Sequence, residues 1–205
     1  MGKVERIELF HVDVPLRAPF FPSWIPGYPQ THCRSTLIRL TTDDGLTGLA
    51  AGTAFSRERQ GLGELIGGYL IGVEATDIET VRKRLREVSY LGWSNGWIEN
   101  AFWDLKGKAR GKPVYKLLQD EERTVLRAPV YASSGEVRPV GTRMPWLNTI
   151  RRMGIKAVKI RVKDPHKRDD LTILEDVRRE LGDDFVVAVD ANQGWPVSLF
   201  DATPP

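Results

Sequence analysis

Two pairs of polar residues stand where chemistry could be carried out. Lys159 and Arg161 end a β-prone run over 157–162, and Asp190 and Asn192 follow a second such run over 185–189. Residues two apart in a strand point to the same face, so each pair shares a side of its strand. A carboxylate that can hold a hard cation, beside fixed positive groups, suits stabilisation of an anion formed from a carboxylate substrate. Solvated surface charge and a turn stabilised by side-chain hydrogen bonds are the alternative interpretations.

The elements around these pairs recur as strand–helix units. Strands are predicted over 128–132, 157–162 and 185–189, and helices over 142–153 and 169–181, a spacing of about 29 residues between strands. Asp169 is the expected N-cap of the second helix, and Leu171, Leu174, Val177 and Leu181 are expected on its buried face. This pattern predicts parallel strands whose carboxyl ends meet at one edge. A Rossmann-type sheet and a (β/α)₈ barrel both fit it.

The first 120 residues or so have a different pattern, typical of an α+β module. A strand is predicted from Val4 to Val14, and the Asp44-Gly45 pair predicts a hairpin between runs over 35–41 and 47–52. Four prolines between Pro19 and Pro29 predict an irregular aromatic loop. A helix capped by Asp77 and a second helix over 97–110, ended by Gly111, complete the module. The second helix is expected to bury Ile98, Ala101, Phe102, Leu105 and Ala109, and Pro113 fits the first position of a further turn.

Composition narrows the classes of function. A net charge of +3 with interleaved acidic and basic residues argues against nucleic-acid binding. No run approaches the roughly 18 apolar residues of a membrane span, so no membrane partner is expected. Cys33 is the single cysteine, which excludes an intrachain disulfide and favours a cytoplasmic location. Three histidines show no metal-ligand spacing.

Three segments resemble the mandelate racemase/muconate-lactonizing family of the enolase superfamily. The segment 100–118 is similar to the helix that links the capping domain to the barrel, 154–161 to the second barrel strand, and 187–195 to the third. The resemblance implies an α+β capping domain over 1–125, followed over 126–205 by the first three units of a (β/α)₈ barrel.

The resemblance also implies roles for matching residues. Asp190 is similar to the first of three acidic Mg²⁺ ligands, so Mg²⁺ is the expected cofactor. Lys159 matches the first lysine of a Lys-x-Lys pair near the substrate carboxylate, and Asn192 matches a position that often contacts substrate. Trp24 and Tyr28 belong to a segment similar to the loop that closes over the substrate, although aromatic residues there could equally pack on the barrel rim. A small-molecule carboxylate substrate and a homo-oligomer are expected.

Arg161 departs from the Lys-x-Lys pattern, in which the second lysine is a general base. Arginine keeps its proton to about pH 12, so Arg161 is expected to stabilise charge or to orient an anion. This favours a one-base reaction, dehydration of an acid sugar or related α-hydroxy acid. A racemase, epimerase or cycloisomerase on the same scaffold is the alternative.

The remainder of the barrel is not in this sequence. A (β/α)₈ barrel takes about 200–250 residues, and about 80 follow residue 125. The further acidic ligands and the opposite-face base are therefore missing, and a truncated chain is expected. A catalytically incomplete domain with only a binding or assembly role is the alternative from another class.

Overall fold

The chain is described by a computed structural model that covers residues 2–22, 28–52, 56–90, 95–119, 127–136, 140–162 and 168–192. It divides into two compact units. The first comprises 1–15 and 32–125, and the second comprises 16–31 and 126–205. The assignment of domains to 1–125 and 126–205 stays a prediction.

An antiparallel sheet opens the chain. Its strands lie side by side in the order β1 (Val4–Phe20), β2 (Gln30–Thr42) and β3 (Thr47–Gly52). The predicted hairpin is confirmed, because β2 pairs antiparallel with β3 through a turn that contains Gly45 at a φ of 86°. A positive φ of this size costs glycine little, which explains the residue at that position.

The prediction of an irregular segment from Pro19 to Pro29 is wrong at its start. β1 continues through Pro15 and Pro19 to Phe20. Proline lacks the N–H that a sheet needs, but β1 is the outer strand of its sheet, where an N–H can be missing without loss of a ladder bond.

Four helices follow in the first unit, namely α1 (Ser56–Leu70), α2 (Ile78–Ser89), α3 (Glu99–Arg110) and α4 (Val114–Leu117). A turn of 3₁₀ helix, Gly96–Ile98, precedes α3. The predicted cap of α2 is confirmed, since Asp77 Oδ1 accepts the Thr80 N–H at 3.1 Å. Gly111 ends α3 at a φ of 60°, as predicted.

Three details of these helices differ from expectation. Helix α1 was not predicted, because its glycines weaken the helical pattern. Ala109 is exposed, and Gly107 is buried on α3 instead, where an added Cβ would lie 2.9 Å from the Lys112 carbonyl oxygen. Pro113 caps α4 rather than opening it.

The core of the first unit joins the sheet to its helices. Its fully buried side chains are Val4, Ile38, Leu40, Ile66, Leu70, Val81, Ile98, Ala101, Phe102 and Leu105. Among the described residues, no helix is long and apolar enough to cross a membrane.

The second unit contains the predicted parallel sheet. Its strands are β4 (Ala132–Ser133), β5 (Ala157–Arg161) and β6 (Val186–Asp190), in that order, with α5 (Val140–Arg152) and α6 (Arg168–Leu181) between them. The apolar core of this unit comprises Leu147, Ile150, Val158, Ile160, Val162, Val177, Leu181 and Phe185. Parallel pairing therefore brings the strand ends, and the polar residues on them, to one edge.

Three predictions for this unit are wrong in detail. β4 is two residues long instead of spanning 128–132, so pairing begins later than the β-prone run does. Helix α6 starts at Arg168, which places Asp169 within the helix rather than at its cap. Leu171 is 58% exposed. The buried face of α6 is the one that carries Val177 and Leu181, and the partly buried Ile173 packs on the core instead of Leu171.

We expect Leu105→Ala to lower the free energy of unfolding by about 2–5 kcal/mol, because Leu105 is fully buried and the substitution leaves a cavity. Leu49→Ala is the matched control in the same unit, since Leu49 is 56% exposed. Urea unfolding monitored by circular dichroism measures both. Equal losses for the two variants would contradict this packing.

Candidate active site

The strand ends β5 and β6 bring Lys159, Arg161 and Asp190 together. Arg161 lies directly opposite Asp190 in the parallel register. The Arg161 Nη1 atom is 2.5 Å from Asp190 Oδ2, and the Lys159 Nζ atom is 3.1 Å from the same oxygen. The sequence predicted that these side chains share one face; the structure adds that both cations meet on one carboxylate oxygen.

The second oxygen of Asp190 stabilises the turn after β6. Oδ1 accepts the backbone N–H of Asn192 at 2.8 Å. Asn192 has a φ of 45°, a left-handed conformation that asparagine tolerates better than most residues. The turn interpretation of Asp190 is therefore confirmed through Oδ1, while Oδ2 accepts the two cations.

Ser134, which follows β4, anchors Arg161 and was not predicted from the sequence. Its carbonyl oxygen accepts a hydrogen bond from Arg161 Nε at 3.2 Å, and its hydroxyl accepts the Arg161 backbone N–H at 3.0 Å. The Ser134 N–H donates to the Lys159 carbonyl oxygen at 2.9 Å. Its place just past the first predicted strand is the sequence signal that could have identified Ser134, because the first of three parallel strands ends at the same edge as the other two.

Tyr131 is a second residue that sequence analysis did not single out. The Lys159 Nζ atom lies 5.6 Å from the centre of its ring, within the range of a cation–π contact. Lys159 is thus oriented by an aromatic ring and by a carboxylate. Its side chain is 22% exposed and that of Arg161 is 14% exposed, so solvent screens these charges only in part.

The charge state of Asp190 follows from this environment. Partial burial alone would raise the pKa of the carboxyl, but hydrogen bonds from Lys159 and from the Asn192 N–H, together with the charges of Arg161 and Lys159, outweigh it. The pKa of Asp190 therefore lies below the usual value for aspartate, and the carboxylate is ionised at neutral pH. Among the described residues, Lys159 and Arg161 thus place two cations against one carboxylate.

The predicted loop residues are only partly described. Trp24 lies outside the described residues. Tyr28 is 64% exposed. The start of this segment is held within the second unit, because the Phe21 N–H donates to Glu136 Oε1 at 2.9 Å.

The described residues do not by themselves fit a magnesium ion. Mg²⁺ prefers an octahedral shell of oxygen atoms. The structure contains no group of three or more His, Cys, Asp or Glu side chains that could hold a metal, within the ranges it describes. Both oxygens of Asp190 already accept hydrogen bonds from nitrogen donors.

We expect Asp190→Asn to lower the free energy of unfolding at pH 7 by about 1–3 kcal/mol, because it leaves two cations facing each other. The pKa of Asp190 is lowered on folding, so the ionised carboxylate adds to the free energy of unfolding above the usual aspartate pKa, about 3.9. This contribution is lost as the pH falls through the lower pKa of the folded state. The difference from the unmutated chain should therefore shrink below about pH 4. Denaturant unfolding from pH 7 to pH 3 measures it. Asp183→Asn, in the exposed turn before β6, is the control, and an equal pH-dependent loss there would contradict the assignment to Asp190.

Comparison with known proteins gives relatives that include dehydratases, racemases, epimerases and cycloisomerases. The chain is 27% identical over 210 residues to L-talarate/galactarate dehydratase of Salmonella typhimurium, covering 94% of this chain and 52% of the relative. It is 25% identical to N-succinyl-L-Arg/Lys racemase of Bacillus cereus, covering 94% and 53%. A crystal structure of a racemase from Streptomyces coelicolor A3(2) with bound magnesium matches with a TM-score of 0.81 at 25% identity, covering 94% of this chain and 56% of that one. The chain thus spans about half the length of the relatives it matches.

The family models cover both parts of the chain. Residues 6–119 match the mandelate racemase/muconate lactonizing enzyme N-terminal domain, and residues 146–202 match the enolase C-terminal domain-like model. These matches decide between the two folds that the parallel pattern left open, and β4–β6 are strands of an enolase-type (β/α)₈ barrel that follows an α+β capping domain. The chain belongs to the mandelate racemase/muconate lactonizing enzyme family of the enolase superfamily.

Proposed function

We propose that this chain belongs to an enzyme that abstracts the proton next to a carboxylate, and that its reaction is the dehydration of an acid sugar or related α-hydroxy acid. The observation that carries the proposal is the convergence of Lys159 and Arg161 on Asp190 at the ends of adjacent parallel strands, in a chain of this family. The dehydratase of Salmonella typhimurium is a relative with chemistry of this kind.

The two cations suit the charge that develops in this reaction. Loss of the α-proton moves negative charge onto the carboxylate oxygens of the substrate and forms an enediolate. Fixed positive groups aimed at that charge stabilise it without reorganising during the reaction. Lys159 is held by Tyr131 and Asp190, and Arg161 by Ser134 and Asp190, so both are oriented before substrate arrives.

Arginine at position 161 favours dehydration over a two-base reaction. A guanidinium stays protonated near neutrality and cannot remove a proton from the substrate. The α-proton would pass to a base on the opposite face, the β-hydroxyl would leave as water after taking up a proton, and the enol product would become a 2-keto acid. A racemase of the two-base type needs a base on each face, and position 161 does not provide one.

The cofactor of the complete enzyme is part of the proposal. The Streptomyces coelicolor racemase was crystallised with magnesium, and we propose Mg²⁺ for this protein, with Asp190 as one ligand. The described residues do not complete such a site, so no step is assigned to the ion. Asn192, Tyr28 and Trp24 are proposed to contact a small-molecule carboxylate substrate, and the assembly is proposed to be a homo-oligomer.

We expect Lys159→Met to reduce dehydration by at least about 100-fold, because it removes a cation from the developing negative charge. The test uses the complete enzyme to which this chain belongs, with Mg²⁺ in deuterated water and a panel of acid sugars that includes galactarate and talarate. Formation of a 2-keto acid and deuterium at the α-carbon are both measured. Lys156→Met is the matched control, since Lys156 is exposed and lies three residues earlier, and it should change the rate by less than about twofold.

Other outcomes would contradict the proposal in different ways. Exchange of the α-proton that returns substrate of inverted configuration would indicate a racemase. If the complete enzyme gave neither exchange nor product with any of the carboxylates tested, the proposal of proton abstraction would be contradicted.

A further inference from the structure

A cavity of about 310 Å³ lies in the first unit, between the end of α2 and the 3₁₀ turn that precedes α3. One water molecule takes about 30 Å³ in the liquid, so the cavity has room for a small ion together with water. At Gly96 the backbone borders open space, since an added Cβ would meet no atom within 4 Å. The groups that could contact a ligand are those of Arg82, Arg86, Ser89, Asn95, Gly96 and Glu99.

Asn95 brings an unsatisfied polar group to this cavity. The residue is 2% exposed, and its amide Nδ2 has no hydrogen-bond partner among the described residues. An asparagine that precedes a helix usually caps it through its side chain, but Asn95 makes no such bond to the 3₁₀ turn. A buried N–H without a partner is unfavourable, and an acceptor oxygen of a ligand would remove that cost. A half-turn about the Cβ–Cγ bond exchanges the amide nitrogen and oxygen, so Nδ2 can be turned toward such an oxygen.

Arg82 is held at the wall of the cavity by Glu99. Its Nε and Nη2 atoms donate to the two carboxylate oxygens at 3.2 and 2.7 Å. The Trp103 Nε1–H donates to Glu99 Oε1 at 3.0 Å, so the acidic group in the cavity lining is already engaged. A guanidinium has five N–H donors, and two of these bind Glu99. The other three leave Arg82 able to donate to a ligand from a fixed position.

Arg86 adds a second guanidinium to the same cavity. It is exposed, it lies one helical turn after Arg82 on α2, and its guanidinium has no ion pair or hydrogen bond among the described residues. Residues four apart in a helix lie on the same face, so the two arginines approach the cavity from one side. The carbonyl oxygen of Arg86 accepts the Ser89 hydroxyl at 2.6 Å, so this carbonyl near the end of α2 already has a donor.

We propose that this cavity binds a phosphate group, either as the free ion or on a small phosphorylated molecule. The guanidinium fork matches the geometry of phosphate oxygens. A phosphate group has three or more acceptor oxygens, enough to engage Arg82, Arg86 and Asn95 together, whereas a carboxylate has two. The site belongs to the first unit and does not depend on the proposed dehydration.

The experiment is a calorimetric titration of inorganic phosphate into the complete enzyme to which this chain belongs, with chloride at the same ionic strength as the control. We expect Arg86→Met to weaken phosphate binding at least about tenfold, because a hydrogen bond to a charged group is lost. Asn95→Ala should also weaken it, because the amide donor is removed. Lys83→Met is the matched control, since it removes an equal charge from an exposed position of α2 outside the cavity lining, and it should change the affinity less than about twofold.

Asn95→Asp is the second variant at the buried position if alanine there prevents folding, which circular dichroism reports. It keeps the shape of the side chain, replaces the donor by an anion and should also weaken binding. Glycerol 2-phosphate distinguishes the sources: tighter binding than inorganic phosphate supports a phosphorylated molecule, and weaker binding supports the free ion. Absence of phosphate binding by the unmutated enzyme, equal affinities in Arg86→Met and Lys83→Met, or an unchanged affinity in the Asn95 variants would each overturn the inference.

Discussion

The parallel pairing of β5 with β6 sets the position of each charged group at the candidate site. It places Arg161 opposite Asp190 and Lys159 opposite Ala188, so both cations approach the carboxylate from the neighbouring strand. Side chains alternate between the two faces of a strand, and a slip of one residue would turn the cations toward the core. The register is therefore a condition for this arrangement of charges as well as for the fold.

The core of the second unit holds that register. Val158, Ile160 and Val162 are fully buried, and they alternate with Lys159 and Arg161 along the same segment. Burial of one set of side chains fixes the direction of the other, because the period of a strand is two. Apolar packing and charge placement in β5 are thus two consequences of one alternating sequence.

The charges themselves form an arrangement suited to an anion. One carboxylate between two cations is stabilised in its ionised form. Ser134 and Tyr131 hold the cations in place, so the first strand contributes orientation while the second and third contribute charge. A family in which relatives include a dehydratase and a racemase uses one scaffold for several reactions, and the residue at position 161 is a point at which this chain departs from the Lys-x-Lys pattern.

Those features of the fold that depend on a local sequence signal could be predicted from the sequence. Asp77 as a helix cap, Gly45 in a hairpin and Gly111 at a helix end depend on residues a few positions away, and all three are confirmed. Local signals failed where a distant partner decides the outcome. Pro19 lies in a strand because β1 is at the edge of its sheet, and Leu171 is exposed because the core selects another face of α6.

The sequence by itself determined the alternation that puts Lys159 and Arg161 on one face, and the recurrence of strand–helix units that brings Asp190 to the same edge. Only the tertiary structure decided that both cations meet on Oδ2, that Oδ1 is used by the turn, and that Ser134 holds Arg161. The physical reason is that the contacts of Arg161 and Lys159 join strands whose residues are 27 to 31 positions apart, and the Oδ1 bond within the turn leaves only Oδ2 to those contacts. Their geometry depends on the register between strands, which no local pattern encodes.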